Sequence, residues 1–110
     1  MPLNHLKLVV SDLERSEAFY RAAFDLEVAE RDERQVVLTT PGRGDVLTLA
    51  QAGDGDRLGL DHLGFFGHGA GDFDAAIEQV EQAGGQLLRR LDDDRPTAFF
   101  ADPDGFSVQI

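Results

Sequence analysis

The sequence contains no cysteine and no tryptophan, and it has no long hydrophobic run. The lack of cysteine excludes disulfide bonds and thiolate metal sites, and it favours an intracellular compartment. The longest apolar stretches are far shorter than a membrane span, and no signal-peptide pattern opens the chain. We therefore expect a cytoplasmic protein that does not act at a membrane.

Basic residues are also scarce. Ten Lys and Arg stand against 21 Asp and Glu, which gives a formal net charge of −11. Phosphate backbones repel such a chain, so nucleic acid is not an expected partner. The acidic residues are scattered through predicted loops, and the simplest explanation is that their charge keeps the protein soluble. With 110 residues and 42% hydrophobic composition, the chain is predicted to form a single domain over residues 1–110.

What the sequence does contain is a repeat. Asn4-His5-Leu6 and Asp61-His62-Leu63 each open an apolar run, and the two lie about half the chain apart. After each run comes a small or acidic residue and then an amphipathic segment. A self-similarity of this length indicates two structural modules.

Alternating apolar residues predict strands in both halves. The predicted strands cover residues 3–10, 27–30, 35–40 and 45–50, and then 60–68, 86–90, 97–101 and 106–110. A helix opens at Ser11, which with Glu14 forms a capping box, and ends near residue 24. Its predicted sheet-facing stripe includes Phe19 and Phe24. A second helix covers residues 73–83, with Gly84 at its C′ position.

The resulting order is β-α-β-β-β, repeated. Module one covers about residues 1–51, a Gly- and Asp-rich linker about 52–59, and module two about 60–110. This order predicts an α+β fold. Its two βαβββ modules form a curved, mostly antiparallel sheet around a concave cavity, with the helices on the convex side.

Strand alternation also predicts which side chains face the cavity. If the leucines that follow the two histidines face the helices, then His5 and His62 face the cavity, together with Gln109. Aligning the last strands of the two halves makes Thr48 the equivalent of Gln109. Two imidazoles and an oxygen donor on adjacent strands are a candidate site for a divalent metal. The simpler interpretations are hydrogen-bonded structural histidines and a cavity-lining amide.

Three further residues are candidates for contacts with the cavity or the substrate. Lys7 lies on the predicted cavity face and would attract an anionic ligand, unless it extends to solvent or pairs with a carboxylate. Phe66 would stack on a ring-bearing ligand, with core packing as the alternative. His68 shares its face and is expected at the cavity rim.

These motifs together resemble the vicinal oxygen chelate superfamily, and the resemblance covers the whole chain. The segments that carry it are Asn4-His5-Leu6, Ser11-Asp12-Leu13-Glu14-Arg15-Ser16, Asp61-His62-Leu63, and Asp102-Pro103-Asp104-Gly105 leading into Val108-Gln109-Ile110. The superfamily includes glyoxalase I, extradiol dioxygenases and the bleomycin-resistance binding proteins.

The resemblance implies a divalent ion, such as Zn, Ni, Mn or Fe, held by first and last strands. His5 and His62 match histidine ligands of the family. Gln109 stands where a metal-binding Glu is usual, and Thr48 where some members have a second Glu. The missing carboxylates imply weaker metal retention. They also disfavour the two-histidine, one-carboxylate iron chemistry of the dioxygenases, and no catalytic base is identified.

Two functions remain open on these grounds. One is a metal-dependent isomerase, lyase or transferase that uses the ion as a Lewis acid on a small substrate. The other is a metal-free protein that sequesters a small molecule, as the bleomycin-resistance members do. A third option is an interaction module that binds no small-molecule ligand. The resemblance also implies a homodimer.

Overall fold

The computed structural model describes residues 1–66 and 72–110, which fall into two compact units. One unit is Asn4–Asp61, and the other joins Met1–Leu3 to His62–Ile110. The first module consists of β1 (Leu3–Val10), α1 (Leu13–Phe24), β2 (Glu27–Arg31), β3 (Gln35–Thr39) and β4 (Val46–Gln51). The second consists of β5 (Gly59–Phe65), α2 (Phe73–Gln82), β6 (Gln86–Leu91), β7 (Thr97–Ala101) and β8 (Ser107–Gln109).

The sheet of the first module has the strand order β2-β3-β4-β1. Its two hairpin pairs are antiparallel, and β4 pairs with β1 in parallel. Val36, Leu38 and Leu49 are completely buried, and Leu13 and Tyr20 of α1 pack against them. The helix therefore covers the sheet face to which these alternating apolar side chains point.

The sheet of the second module repeats this plan as β5-β8-β7-β6, with β5 and β8 parallel. Phe73, Ala76 and Ile77 of α2 form a buried cluster with apolar side chains of β7 and of the chain end. Phe100, the largest of the completely buried side chains, belongs to this cluster. Each module thus has a core between its helix and one face of its sheet.

Both modules also share a local irregularity in the pairing of their strands. The register of β2 against β3 shifts between Val28 and Glu30, and that of β6 against β7 shifts between Leu87 and Arg89. A bulge at the same place in both modules is a shared feature of the plan rather than a defect. The predicted α+β class and the two βαβββ modules are confirmed. The predicted strand over 60–68 is described as Gly59–Phe65.

The start of α1 differs from the predicted capping box. Asp12, not Ser11, is the N-cap, and its carboxylate accepts the backbone N–H of Arg15 at 3.2 Å. The carbonyl of Ser11 instead accepts a hydrogen bond from the amide Nε2 of Gln51 at 2.8 Å, while Gln51 Oε1 accepts the Leu13 N–H at 2.9 Å. The end of β4 therefore satisfies the backbone that opens the helix.

The prediction that Phe19 and Phe24 face the sheet is wrong, since more than half of each side chain is exposed. The buried residue of α1 is Glu17. Its carboxylate accepts hydrogen bonds from Arg31 at 2.6 Å and from Arg21 at 3.2 Å. These charge-assisted bonds compensate for burial of the carboxylate. Neither of the described helices is long and apolar enough to cross a membrane.

Replacing Gln51 by Ala should lower the free energy of unfolding by about 1–3 kcal/mol, because the Leu13 N–H and the Ser11 carbonyl lose their partner. Urea denaturation measures the loss. The matched control is Gln82→Ala, because Gln82 is exposed and its amide donates to the exposed Glu78 side chain of the same helix. Equal stability of the two variants would contradict the role given to Gln51.

The turn between β3 and β4 should make stability depend on pH. The Thr40 N–H, which donates to Asp45 at 2.7 Å, holds the pKa of that carboxyl below its ordinary value. A depressed folded-state pKa stabilises the protein above the unfolded value of about 3.9. That stabilisation disappears as the pH falls through the folded value.

The stability difference between the wild type and Asp45→Asn should therefore shrink on acidification from about pH 5 to about pH 2. Thermal unfolding across this range measures it, with the linker variant Asp54→Asn as the control for loss of one charge. A difference that is constant with pH would rule out this linkage.

Candidate functional site

In the first module, His5 and Lys7 lie on the sheet face that α1 does not cover. Leu8 packs in the core with Leu49, so the alternating positions 5 and 7 of β1 point the opposite way. Lys7 is the direct neighbour of Thr48 across the parallel β1–β4 pair. We call this surface, opposite the helix of each module, the open face.

The open face of the second module carries His62, Gly64, Phe99 and Gln109. Gln109 is the direct neighbour of Gly64 on one side and of Phe99 on the other. The His62 ring meets the Phe99 ring edge-on with centroids 5.8 Å apart. The Arg89 guanidinium lies 6.0 Å from the Phe99 centroid. Three strands therefore bring imidazole, amide and aromatic groups onto one surface.

The same register recurs in both modules. The residue two positions after His5 is Lys7, which pairs with Thr48, and the residue two positions after His62 is Gly64, which pairs with Gln109. Each histidine is thus the diagonal neighbour of the last-strand residue predicted to accompany it. Lys7 and Gly64 occupy equivalent positions, so the two open faces share geometry but differ in chemistry.

Both histidines are half-buried. His5 Nδ1 lies 2.9 Å from Oδ1 of the neighbouring Asn4, which orients the ring. The His62 ring packs edge-on against the Phe99 ring. Imidazole rings in such surroundings suit either hydrogen bonding or metal ligation.

The remaining predicted contact residues differ in exposure. Thr48 is half-buried, whereas Phe66 is 60% exposed and does not pack in the core. The Phe66 N–H donates to the Pro2 carbonyl at 2.9 Å, which fixes the backbone after β5. His68 lies outside the described residues.

Within the Asn4–Asp61 unit, a cleft of about 550 Å³ opens beside Lys7 on the open face. Its wall includes Arg34, from the turn before β3, and Arg57, from the linker. The sequence interpretation missed both arginines. Neither lies in a periodic segment, and nothing in their local pattern separates them from solvent-exposed loop residues.

The donors available for a metal ion are limited. Among residues 1–66 and 72–110, no group of three or more His, Asp or Glu side chains could hold a metal ion. The predicted set of His5, His62 and Gln109 has two imidazoles and one amide oxygen, all neutral. These donor types do bind zinc, nickel, manganese and iron, but without a carboxylate to offset the charge of the ion.

Comparison with known proteins identifies relatives of this architecture. The Glyoxalase/Bleomycin resistance protein/Dioxygenase superfamily matches residues 2–110. A lactoylglutathione lyase of Neisseria meningitidis is 30% identical over 125 aligned residues, which cover 100% of this chain and 89% of that protein.

Two of the similar solved structures come from one longer enzyme, of which this chain spans about a third. Homoprotocatechuate 2,3-dioxygenase of Brevibacterium fuscum, in complex with 3,4-dihydroxyphenylacetate, has a TM-score of 0.79 and 26% identity. The match covers 99% of this chain but only 35% of that chain. A variant of the same enzyme has a TM-score of 0.80 at 25% identity, with 31% of its chain covered.

Replacing Phe99 by Leu should shift the His62 ring proton resonances, because the edge-on ring and its ring current are lost. Proton–carbon NMR of the histidine rings measures the shift. Phe106→Leu is the control, since Phe106 is exposed and outside the strands. Unmoved His62 signals in the Phe99 variant would contradict the described packing.

Proposed function

Because the chain belongs to the Glyoxalase/Bleomycin resistance protein/Dioxygenase superfamily, we propose that it is a small-molecule enzyme of the lyase, isomerase or transferase type. In this proposal a divalent ion such as Zn, Ni, Mn or Fe is held by His5, His62 and Gln109. The relative named lactoylglutathione lyase supports a lyase, since its similarity extends over the whole chain.

The observation that carries the proposal is the register shared by the two modules. In each, a first-strand histidine is the diagonal neighbour of a last-strand oxygen-bearing side chain on the open face. The fold alone does not require a polar pair at these positions, because neither member packs in the core between sheet and helix. The register therefore favours a functional surface over a purely structural one.

The donor chemistry fits a weakly held ion. Imidazole nitrogens and an amide oxygen accept divalent metals of intermediate softness. In this proposal the bound ion polarises substrate oxygens as a Lewis acid, and nearby side chains orient the substrate. Thr48 offers a hydroxyl, Lys7 an ammonium and Phe66 an exposed ring, with His68 as a further proposed contact.

Ring-cleaving oxygen chemistry is less suited to this chain. Iron sites of that type use two histidines and one carboxylate, and Gln109 offers an amide where the carboxylate would be. General-base chemistry also needs a titratable group within reach of the substrate proton. The catalytic base therefore stays unassigned.

A second candidate function is metal-free binding or sequestration of a small molecule. The neutral donor set favours it, because an ion without an anionic ligand is easily lost. The polar residues of the open faces would then only orient the ligand. In either case a homodimer in the cytoplasm remains the predicted setting, with no nucleic acid or membrane partner.

Replacing Gln109 by Glu should raise zinc affinity at least about tenfold, because an anionic carboxylate replaces a neutral amide in the proposed site. Isothermal titration with zinc and elemental analysis of untagged protein measure the effect. Gln86→Glu is the matched control, since Gln86 is exposed at the start of β6.

If both Glu variants bind zinc as the wild type does, Gln109 is not a ligand, and metal-free binding becomes the better account. Stoichiometric metal in the wild type, together with tighter binding by Gln109→Glu alone, would support the enzyme.

A further inference from the structure

The cleft in the Asn4–Asp61 unit has the size of a small-molecule site. Its volume of about 550 Å³ lies within the range typical of ligand pockets. Val9 and Ala50, on neighbouring strands of the open face, supply an apolar floor, and Leu60 adds an apolar wall. Three cationic side chains, Lys7, Arg34 and Arg57, line the same space.

Lys7 is the most constrained of these cations. It is half-buried in β1, and it is the only lysine in the sequence. Within the described residues, no carboxylate lies within ion-pair distance of its ammonium. An anion arriving in the cleft would supply the counter-charge that this ammonium lacks.

The acidic residues of the cleft leave an excess of positive charge. Asp56 and Asp61 also line it, against the three cations. The Asp56 carboxylate already accepts the Gly53 N–H at 2.6 Å, within a turn of the linker. In a chain of net charge −11, a local excess of cations runs against the overall field and marks a place where an anion is favoured.

The two modules differ in charge at equivalent positions of their open faces. The second module has Gly64 where the first has Lys7, and Gln109 where the first has Thr48. An ammonium stands on one open face, while the equivalent position on the other carries no side chain. The open face of the first module is therefore specialised for charge.

We propose that this cleft binds a small organic carboxylate. The carboxylate is held among Lys7, Arg34 and Arg57, and the apolar body of the ligand lies against Val9, Ala50 and Leu60. The proposal deepens the proposed function by naming the class of substrate. From that function it takes only that the ligand is a small molecule, and its test needs neither metal nor turnover.

The test compares benzoate with the isosteric neutral amide benzamide, by isothermal titration of the 110-residue chain after treatment with a chelator. We expect saturable benzoate binding at least about tenfold tighter than benzamide binding, because charge-assisted contacts to the cations are lost in the amide. Nitrogen–proton NMR should show benzoate-dependent shifts at cleft residues.

Lys7→Gln and Arg57→Gln should each weaken benzoate about tenfold for the same reason. Arg15→Gln removes an equal charge from the exposed side of α1, outside the cleft, and should stay within about twofold of the wild type. Thermal unfolding checks that each variant is folded.

Several outcomes would overturn the proposal. These are no saturable benzoate binding, equal affinity for benzoate and benzamide, or equal effects of Lys7→Gln and Arg15→Gln. Inorganic phosphate that binds as tightly as benzoate would also overturn it, since the cleft would then be a general anion site.

Different results would overturn the proposed metal site and the proposed carboxylate cleft. If Gln109→Glu leaves zinc affinity unchanged while Lys7→Gln still weakens benzoate, the proposed metal site fails and the carboxylate cleft stands. If Gln109→Glu tightens zinc binding while Lys7→Gln leaves benzoate affinity unchanged, the proposed carboxylate cleft fails and the proposed metal site stands.

Discussion

The parallel pairing of first and last strands within each module determines which side chains of those strands reach the open face. In the first module this pairing sets Leu8 beside Leu49 and Lys7 beside Thr48. A slip of one residue would exchange the core leucines with the polar side chains, and burial of Leu49 prevents that. Hydrophobic packing against α1 and the polar surface opposite are therefore two consequences of one register. The second module repeats the constraint with different residues.

A shared register does not impose shared chemistry. The core positions of both modules are apolar, because each must pack against a helix, and both sheets carry the same bulge. The open faces are free of that requirement, and they carry different side chains. One combines His62, Gln109 and Phe99, and the other sets Lys7 beside a cleft with two arginines. The repeated plan therefore carries two chemically different surfaces, one in each module.

Local pattern allowed the strands, the helices and the repeat to be predicted, because hydrophobic periodicity is visible over a few residues. Which parts of α1 are buried could not be predicted in this way. Glu17 is buried through its bond to Arg31, fourteen residues away, and Phe19 is exposed. The Gln51 contacts with the start of α1 span about forty residues and leave no local signal. The cleft arginines lie in loops, so only the folded chain reveals their convergence.

The central claim is that one strand parity governs both modules, and the absence of cysteine allows a direct measurement of it. A single introduced cysteine is the only thiol in the chain, so its rate of reaction with a thiol reagent reports the exposure of that position. Thr48→Cys and Gln109→Cys should react rapidly in the native state, whereas Leu49→Cys and Ala98→Cys should react only as fast as the protein unfolds. Reversed or equal rates in either module would contradict the shared register and, with it, the assignment of the open faces.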